Sequence, residues 1–439
     1  MTSSAPTNVI EAYAADFLAR RDDVSWLDKL RREAWAEFER LGFPTARRGN
    51  ELWKYTDLRV LDSQPFNLNA QATAAADIDL SSVVAWDEDW HTAVFIDGQF
   101  DKVSSSNLNG SGVVISELTD AAGEVEAVFG SVAGIEGNPF VALNTALFES
   151  GLLVEISADA ELEQPVHIVN IVSDGPDKRA FYPRVLVRAG SNSKGTVIES
   201  FVNLSAGAQL VVPVFEAALS EGANLTHFRV QLENENTVHI GTTRSEQPAN
   251  AVFNSTTFAT GPAIGRNDVH TNLAAEGAET TLHGLYITDG TSHQDNEIST
   301  THQKPHGTSH QFYKGILAGK SRAVFSGKVI VQPGAMKTLA QQKDLNLLLS
   351  HAAEIDTKPS LEIYADDVQC AHGATAGHVD PEMLFFLMSR GVGREEASKM
   401  LITGFASEIV DEFEPKPLRD FLYSKLDEIV PALDSEGIL

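Results

Sequence analysis

Between about residues 140 and 370 the chain has the character of closely spaced β-strands, and this stretch restricts the folds open to it. β-Branched residues are frequent there, proline is sparse, and glycine separates the segments. Apolar and polar side chains alternate, as in 225–232, where Phe228, Val230 and Leu232 are separated by polar residues. No helical pattern interrupts these strands, so the βαβ units of a doubly wound sheet are not expected.

The glycines between these strands recur at regular intervals. Gly207, Gly261, Gly290 and Gly319 are separated by about 54, 29 and 29 residues, which fits two, one and one coils of a repeating unit. Such spacing predicts a solenoid of stacked strands, in which each coil contacts only its neighbours. A β-sandwich is the competing architecture, because the sequence match between coils is weak.

Helical patterns flank the strand region on both sides. Apolar residues recur at helical spacing through 8–42, and a strand followed by a turn is predicted at 91–98. After the strands, Asp380 is a good N-cap, and helical segments follow it, separated by Gly391 and by the prolines 415 and 417. We therefore expect an N-terminal helical domain (1–65), a connecting segment with strands (66–139), the β core (140–375) and a C-terminal helical domain (376–439).

Composition excludes several classes of partner. The 439 residues carry a formal net charge of −28, which argues against binding to nucleic acid or to an anionic membrane surface. The single cysteine allows no internal disulfide and fits a reducing compartment. The first 30 residues show no signal-peptide pattern, and no stretch is apolar enough to span a membrane, so we expect a cytoplasmic protein.

One glycine-rich segment resembles a phosphate-binding loop only superficially. Gly319-Lys320-Ser321 follows Gly315 with three residues between the glycines, one fewer than a P-loop requires. The residues after it alternate as a strand, where a P-loop needs the N-terminus of a helix. A turn between coils is the better interpretation.

Three histidines at intervals of four residues are a weak metal signal. His302, His306 and His310 would share a helical face, but Pro305 and Gly307 interrupt any regular helix there. In an extended chain they would still share a face, because their positions differ by even numbers of residues. Surface or hydrogen-bonded histidines are the more frequent outcome of such spacing.

The chemically most informative segment lies near the end of the strand region. Cys370, the only cysteine, stands two positions before His372, so in a strand both side chains point to the same face. A thiolate and an imidazole make half of a four-coordinate site. Either the remaining ligands come from elsewhere, including another chain, or Cys370 is a small interior residue beside a hydrogen-bonded histidine.

With these residues the chain resembles the SufB/SufD family of iron–sulfur cluster assembly scaffolds. The resemblance extends over nearly the whole chain, and within the family it is greater to SufD-type chains, because the segment 384–391 contains no cysteine. The matching segments, in order, are Asn50–Thr56, Ala142–Ala146, His310–Leu317, Gly319–Lys328, Val368–Gly373 and Leu384–Gly391.

The resemblance implies a right-handed parallel β-helix flanked by helical domains. It implies a non-enzymatic subunit that pairs with a SufB-like paralogue and docks a SufC-like ABC-type ATPase on its C-terminal helices. A transient iron–sulfur cluster would form at the interface with the SufB-like partner, with His372 as the first candidate ligand and Cys370 as the second. The residues expected to face the ATPase, partly inward and partly outward, are Leu384, Phe386, Met388, Leu401 and Phe405.

Two other functions remain open at this point. A homodimeric metal-binding β-helix protein would use Cys370, His372 and the histidines at 302–310. A β-helix enzyme would need catalytic carboxylates or a nucleophile, and no Gly-x-Ser-x-Gly motif or distinct carboxylate pair is present. The isolated chain could also form a homodimer through the edge of its β-helix.

Overall fold

A computed structural model describes residues 9–19, 25–47, 50–63, 65–67, 78–121 and 125–430. Two parallel sheets form the two faces of a β-solenoid of about eight coils, which confirms the predicted fold class and excludes the β-sandwich. The helices are α1 (Val9–Ala19), α2 (Ser25–Leu41), α3 (Arg59–Ser63), α4 (Leu80–Val83), α5 (Pro139–Leu147), α6 (Pro381–Met388), α7 (Arg394–Val410) and α8 (Lys416–Ile429).

The strands alternate between the two sheets along the chain. The first sheet contains β1 (His91–Ile96), β2 (Gln99–Phe100), β6 (Val166–Val172), β9 (Lys194–Asn203), β12 (Asn224–Leu232), β14 (Val252–Thr260), β16 (Glu279–Thr288), β18 (Thr308–Leu317), β20 (Leu339–Leu348) and β23 (Gln369–Gly377). The second contains β3 (Asn109–Gly110), β4 (Val113–Glu117), β5 (Gly151–Ile156), β7 (Arg179–Phe181), β8 (Arg184–Ala189), β10 (Gln209–Val211), β11 (Val214–Leu219), β13 (Thr237–Gln247), β15 (Ile264–Leu273), β17 (His293–His302), β19 (Arg322–Val331), β21 (Glu354–Thr357) and β22 (Ser360–Ile363).

Strand register explains the repeat seen in the sequence. Ile264 pairs with His293, and His293 pairs with Arg322, so each of these coils takes 29 residues. Gly261, Gly290 and Gly319 lie at the same corner of successive coils, and each has a positive φ. A Cβ atom on Gly319 would lie 2.7 Å from the backbone nitrogen of Gly290, so the stacked turns leave no room for a side chain.

The solenoid interior changes character along its length. The early coils are filled with buried aliphatic side chains such as Val154, Val166 and Val187. The late coils also bury amide and carboxyl groups, among them Gln342 and Asp344. Because buried polar groups need hydrogen-bond partners, the late coils contain side-chain networks.

The two ends of the solenoid differ. The closed end is covered by β1 to β4, in which β2 pairs antiparallel with β1 and β4 pairs antiparallel with β5. The open end consists of β21, β22 and β23, and no described strand pairs with their outer edges. The segment 91–117, predicted to connect two domains, thus adds strands to both sheets at the closed end.

The motif Asn50–Thr56 attaches the N-terminal region to the outer face of the second sheet. The guanidinium of Arg266 lies 3.9 Å from the ring centroid of Trp53, and Thr56 bonds the side chains of His293 and Asp295. Helix α5 is attached by Asn144, whose amide donates to the carbonyls of Pro183 and Val212 at 2.9 and 2.7 Å. Two of the family-like motifs therefore have a structural role here.

The C-terminal helices pack against the outer face of the first sheet. Asp380 caps α6 by accepting from the backbone of Glu382, as predicted, and Gly391 ends the turn after α6 with a φ of 90°. Ile402, Ile409 and Phe413 join a buried cluster with apolar residues of β12, β16 and β18. Helix α6 lies against α7 and leaves much of its apolar surface exposed.

Candidate functional site

Strand β23 is an uncovered sheet edge of nine residues at the open end. It pairs on one side with β20, in parallel, from Leu339↔Gln369 to Leu347↔Gly377. All of its residues except Cys370 are exposed. An exposed strand of this length presents a row of unpaired backbone groups, which is the usual template for addition of another chain.

Cys370 and His372 share one face of β23, as the i, i+2 spacing predicted, and that face is the one that lines the solenoid interior. Their in-register neighbours on β20 are Ala340 and Gln342, both buried inside the preceding coil. In-register residues of parallel strands share a face, so the same direction continues into β23. Because no coil of the described residues covers β23, this interior face is accessible at the open end.

Cys370 is half-buried against an apolar cluster that includes Val331, Ala340 and Leu361. Burial raises the pKa of its thiol, and a hydrogen bond with the backbone of Ala340 only partly opposes that rise. The thiol form is therefore favoured in the lone chain, and a metal ion would have to displace its proton.

His372 differs from Cys370 in its surroundings. Its side chain is exposed at the uncovered edge. Its ring is therefore accessible both to an iron atom brought to the open end and to the interior groups of the preceding coil. The sequence identified this histidine, but it gave no sign that Gln342 would stand directly beneath it.

The other sequence patterns do not form sites. His302 is buried in the interior, where its Nε2 lies 2.8 Å from the Ser309 hydroxyl, whereas His310 faces outward and His306 lies in an exposed turn. The three histidines therefore do not share a face. Gly319-Lys320-Ser321 forms a turn followed by β19, as predicted, so it lacks the helix that a phosphate site requires.

The residues expected to face an ATPase divide into two groups. Phe386 and Met388 of α6 are 54% and 39% exposed, whereas Leu384 is buried. Leu401 and Phe405 of α7 are half-buried. The sequence did not single out Met383 and Phe385, which are 58% and 71% exposed and extend the apolar surface of α6.

Lys314 connects the solenoid to α7. Its ammonium donates to the carbonyl of Phe405 at 2.8 Å, lies 2.5 Å from the carboxylate of Glu408 and sits 4.4 Å from the Phe405 ring centroid. The Lys314 side chain is only 4% exposed, whereas Glu408 is 59% exposed. These contacts add charged, directional interactions to a largely apolar interface.

The described ranges contain neither a preformed metal site nor a membrane-spanning helix. Among those residues, no three His, Cys, Asp or Glu side chains are grouped so as to hold a metal ion. No helix in the same ranges is long and apolar enough to cross a membrane.

Two models of a known protein family match this chain. A family model described as SUF system FeS cluster assembly, SufBD core domain, matches residues 171–405, and one described as SufBD protein N-terminal region matches residues 8–168. The chain belongs to the SufB/SufD family of iron–sulfur cluster assembly proteins. The family resemblance seen in the sequence motifs is thus confirmed.

Individual members of the SufB/SufD family match over most of their length. The iron–sulfur cluster assembly protein SufD of Escherichia coli is 30% identical over 399 residues, covering 89% of this chain and 90% of that protein. A SufBD family iron–sulfur cluster assembly protein of Synechocystis is 32% identical over 380 residues, covering 83% of each chain. The SufD of Bacillus subtilis is 24% identical over 451 residues, covering 98% of this chain and all of that protein.

Proposed function

We propose that this SufD-like chain is a non-enzymatic scaffold subunit of a SUF assembly complex. It pairs through the open end of its solenoid with a SufB-like subunit and docks a SufC-like ATPase on its C-terminal helices. The observation that carries this proposal is the nine-residue uncovered edge β23, on which Cys370 and His372 face an accessible interior.

The nascent iron–sulfur cluster forms between this chain and the SufB-like subunit, as the substrate of the assembly complex. An iron–sulfur cluster takes four protein ligands, most of them thiolates, and imidazole can replace thiolate on iron. This chain offers one accessible imidazole and one half-buried thiol at the open end. His372 is therefore the first ligand, Cys370 the second, and the SufB-like partner supplies the remaining thiolates.

Helices α6 and α7 form the ATPase dock. Phe386 and Met388, with Met383 and Phe385 beside them, make an exposed apolar surface of the kind that marks protein interaction sites. Buried Leu384 and half-buried Leu401 and Phe405 hold α6 and α7 in place beneath that surface. ATP-driven dimerisation of the ATPase would move these helices, and this chain would transmit the motion without hydrolysing ATP.

The decisive experiment is anaerobic reconstitution with iron and sulfide. The chain would be tested alone and with its SufB-like and SufC-like partners, as wild type, as His372→Ala and as the matched control His378→Ala. We expect a cluster only in the complex, with lower iron and sulfide content for His372→Ala and no change for His378→Ala. His378 is a suitable control because it lies near β23 but bonds the carbonyl of Leu348.

Either of two results would contradict this proposal. A stable cluster on the lone wild-type chain, whether monomer or homodimer, would favour the homodimeric metal-binding alternative. A cluster in the complex that is indifferent to His372→Ala would leave the chain as a structural partner and ATPase dock.

Docking of the ATPase can be tested separately on α6. Phe386→Ser should weaken retention of the chain on an immobilised SufC-like ATPase, because it removes apolar area from the contact. Val103→Ser is the matched control, since Val103 is 93% exposed and lies at the closed end. Equal retention of both variants would place the ATPase elsewhere.

A further inference from the structure

A column of buried polar side chains in the late coils ends directly beneath His372. Gln311 of β18 pairs in register with Gln342 of β20, and Gln342 pairs in register with His372 of β23. All three positions face the interior. Gln311 and Gln342 are 2% and 3% exposed, so their amides must find partners inside the solenoid.

Hydrogen bonds fix the orientation of the Gln342 amide. Thr271 donates to Thr300 at 3.0 Å, and the Gln311 Nε2 donates to the same Thr300 hydroxyl oxygen at 3.1 Å. The Gln311 Oε1 then accepts from the Gln342 Nε2 at 2.9 Å. With one N–H of its Nε2 held by Gln311 of the coil below, the Gln342 amide is turned so that its Oε1 lies on the side away from that bond.

The Oε1 atom of Gln342 is buried and has no hydrogen-bond partner within the described part of the chain. Leaving a buried acceptor unpaired is energetically unfavourable, so such an atom calls for an explanation. The next group along the column is the imidazole of His372, on a strand about 4.8 Å away. A ring N–H of His372 is within reach of this oxygen by side-chain rotation.

We infer that Gln342 is a positioning residue for His372. Its Oε1 accepts a hydrogen bond from one ring nitrogen of His372 and so leaves the other ring nitrogen, unprotonated, to face iron at the open end. Histidine ligands of metals usually donate their second N–H in this way, which fixes both tautomer and ring orientation. This inference rests on the proposed role of His372 and adds to it the residue that orients the ligand.

The first test measures the tautomer of His372 in the metal-free chain. The chain would be labelled with ¹⁵N-histidine, and the His372 signals would be assigned by their loss in His372→Ala. We expect wild type to show one neutral tautomer in excess and Gln342→Leu to lose that excess. Gln341→Leu is the matched control, because Gln341 is the exposed neighbour on the same strand and faces outward.

The second test uses the reconstituted complex with its SufB-like and SufC-like partners. Pulsed electron paramagnetic resonance of the reduced cluster would report the hyperfine coupling of the ligating histidine nitrogen. Gln342→Leu should alter this coupling and weaken retention of the cluster by roughly 10- to 100-fold, the range by which loss of such a partner lowers metal affinity. Gln342→Glu should restore both, because at this buried position the carboxyl is expected to be protonated, with its O–H replacing the donor to Gln311 and its carbonyl oxygen accepting from His372.

The outcomes separate this inference from the proposal on which it rests. A Gln342→Leu chain that matches Gln341→Leu in tautomer and coupling would overturn the inference. Failure of Gln342→Glu to restore what Gln342→Leu loses would also overturn it, because the loss would then be structural. If His372→Ala itself leaves the cluster unchanged, the proposed function fails first.

Discussion

The two ends of the solenoid differ in the length and exposure of their outermost strands. At the closed end the outermost strands, β2 and β3, have two residues each, and Phe95 with Phe100 fills the interior beneath them. At the open end the outermost strand of the first sheet, β23, has nine residues, and its side chains are almost all exposed. Short edge strands are a known protection against unwanted strand addition, and the open end lacks that protection.

This difference supports the proposal that a partner binds at the open end. A solenoid needs a cover at each end, supplied either by its own chain or by another. The segment 91–117 supplies that cover at the closed end. The residues with metal-binding chemistry, Cys370 and His372, lie at the end that has no such cover.

The largest expected contrast between the ends is in stability. Phe95→Ala should lower the free energy of unfolding by about 3–5 kcal/mol, because it opens a cavity under the closed end. His372→Ala should lower it by only about 1 kcal/mol, since it removes an exposed side chain and its one hydrogen bond to Gln342. Urea titration of the lone chains would measure both, and equal losses would mean that the open end is already covered in the lone chain.

An intermediate effect is expected from prolines in β23. The N–H of Gln369 donates to the carbonyl of Thr338, so along a parallel ladder the N–H of Thr375 also faces β20, whereas that of Ala374 faces outward. Ala374→Pro should therefore weaken binding of the SufB-like partner about tenfold, the equivalent of one lost hydrogen bond. Titration calorimetry with the partner would measure this loss.

Thr375→Pro is the companion variant for that measurement. It removes a donor from the pair β20–β23, so it should destabilise the lone chain, which Ala374→Pro should not. If Ala374→Pro binds the partner as well as wild type does, addition to the β23 edge is ruled out.

The smallest effect concerns the reactivity of Cys370. Because the pKa of its thiol is raised by burial, less thiolate is present at a given pH, and alkylation by iodoacetamide should be slower than for an exposed thiol. The pH at which the alkylation rate reaches half of its maximum should lie above the corresponding pH for a cysteine in a reference peptide. Binding of the SufB-like partner should slow the reaction further. Alkylation that the SufB-like partner leaves unchanged would show that Cys370 lies outside the interface.

Much of this architecture was predictable from local patterns. Strand alternation and regularly spaced glycines predicted stacked coils, since a two-residue period and a repeated turn are properties of short segments. The cap at Asp380 and the helices after it were predictable for the same reason. The shared face of Cys370 and His372 followed from their i, i+2 spacing within a strand.

Side-chain exposure at the candidate docking surface was not predictable in this way. Leu384, Phe385 and Phe386 are consecutive apolar residues of α6, and sequence alone gives no reason to distinguish them. Helix α6 packs against α7, and of these three residues Leu384 is buried whereas the two phenylalanines are exposed. Which apolar residues face solvent thus depends on how two helices meet.

By itself, the sequence determined the repeating strands, the flanking helices, the family and the pairing of Cys370 with His372 on one face. Only the tertiary structure decided that the segment 91–117 covers one end while β23 stays open, and that Gln342 stands beneath His372. The physical reason is that periodicity and capping act within a few residues. Strand register instead joins positions about 30 residues apart, and it can be read only once the coils are stacked.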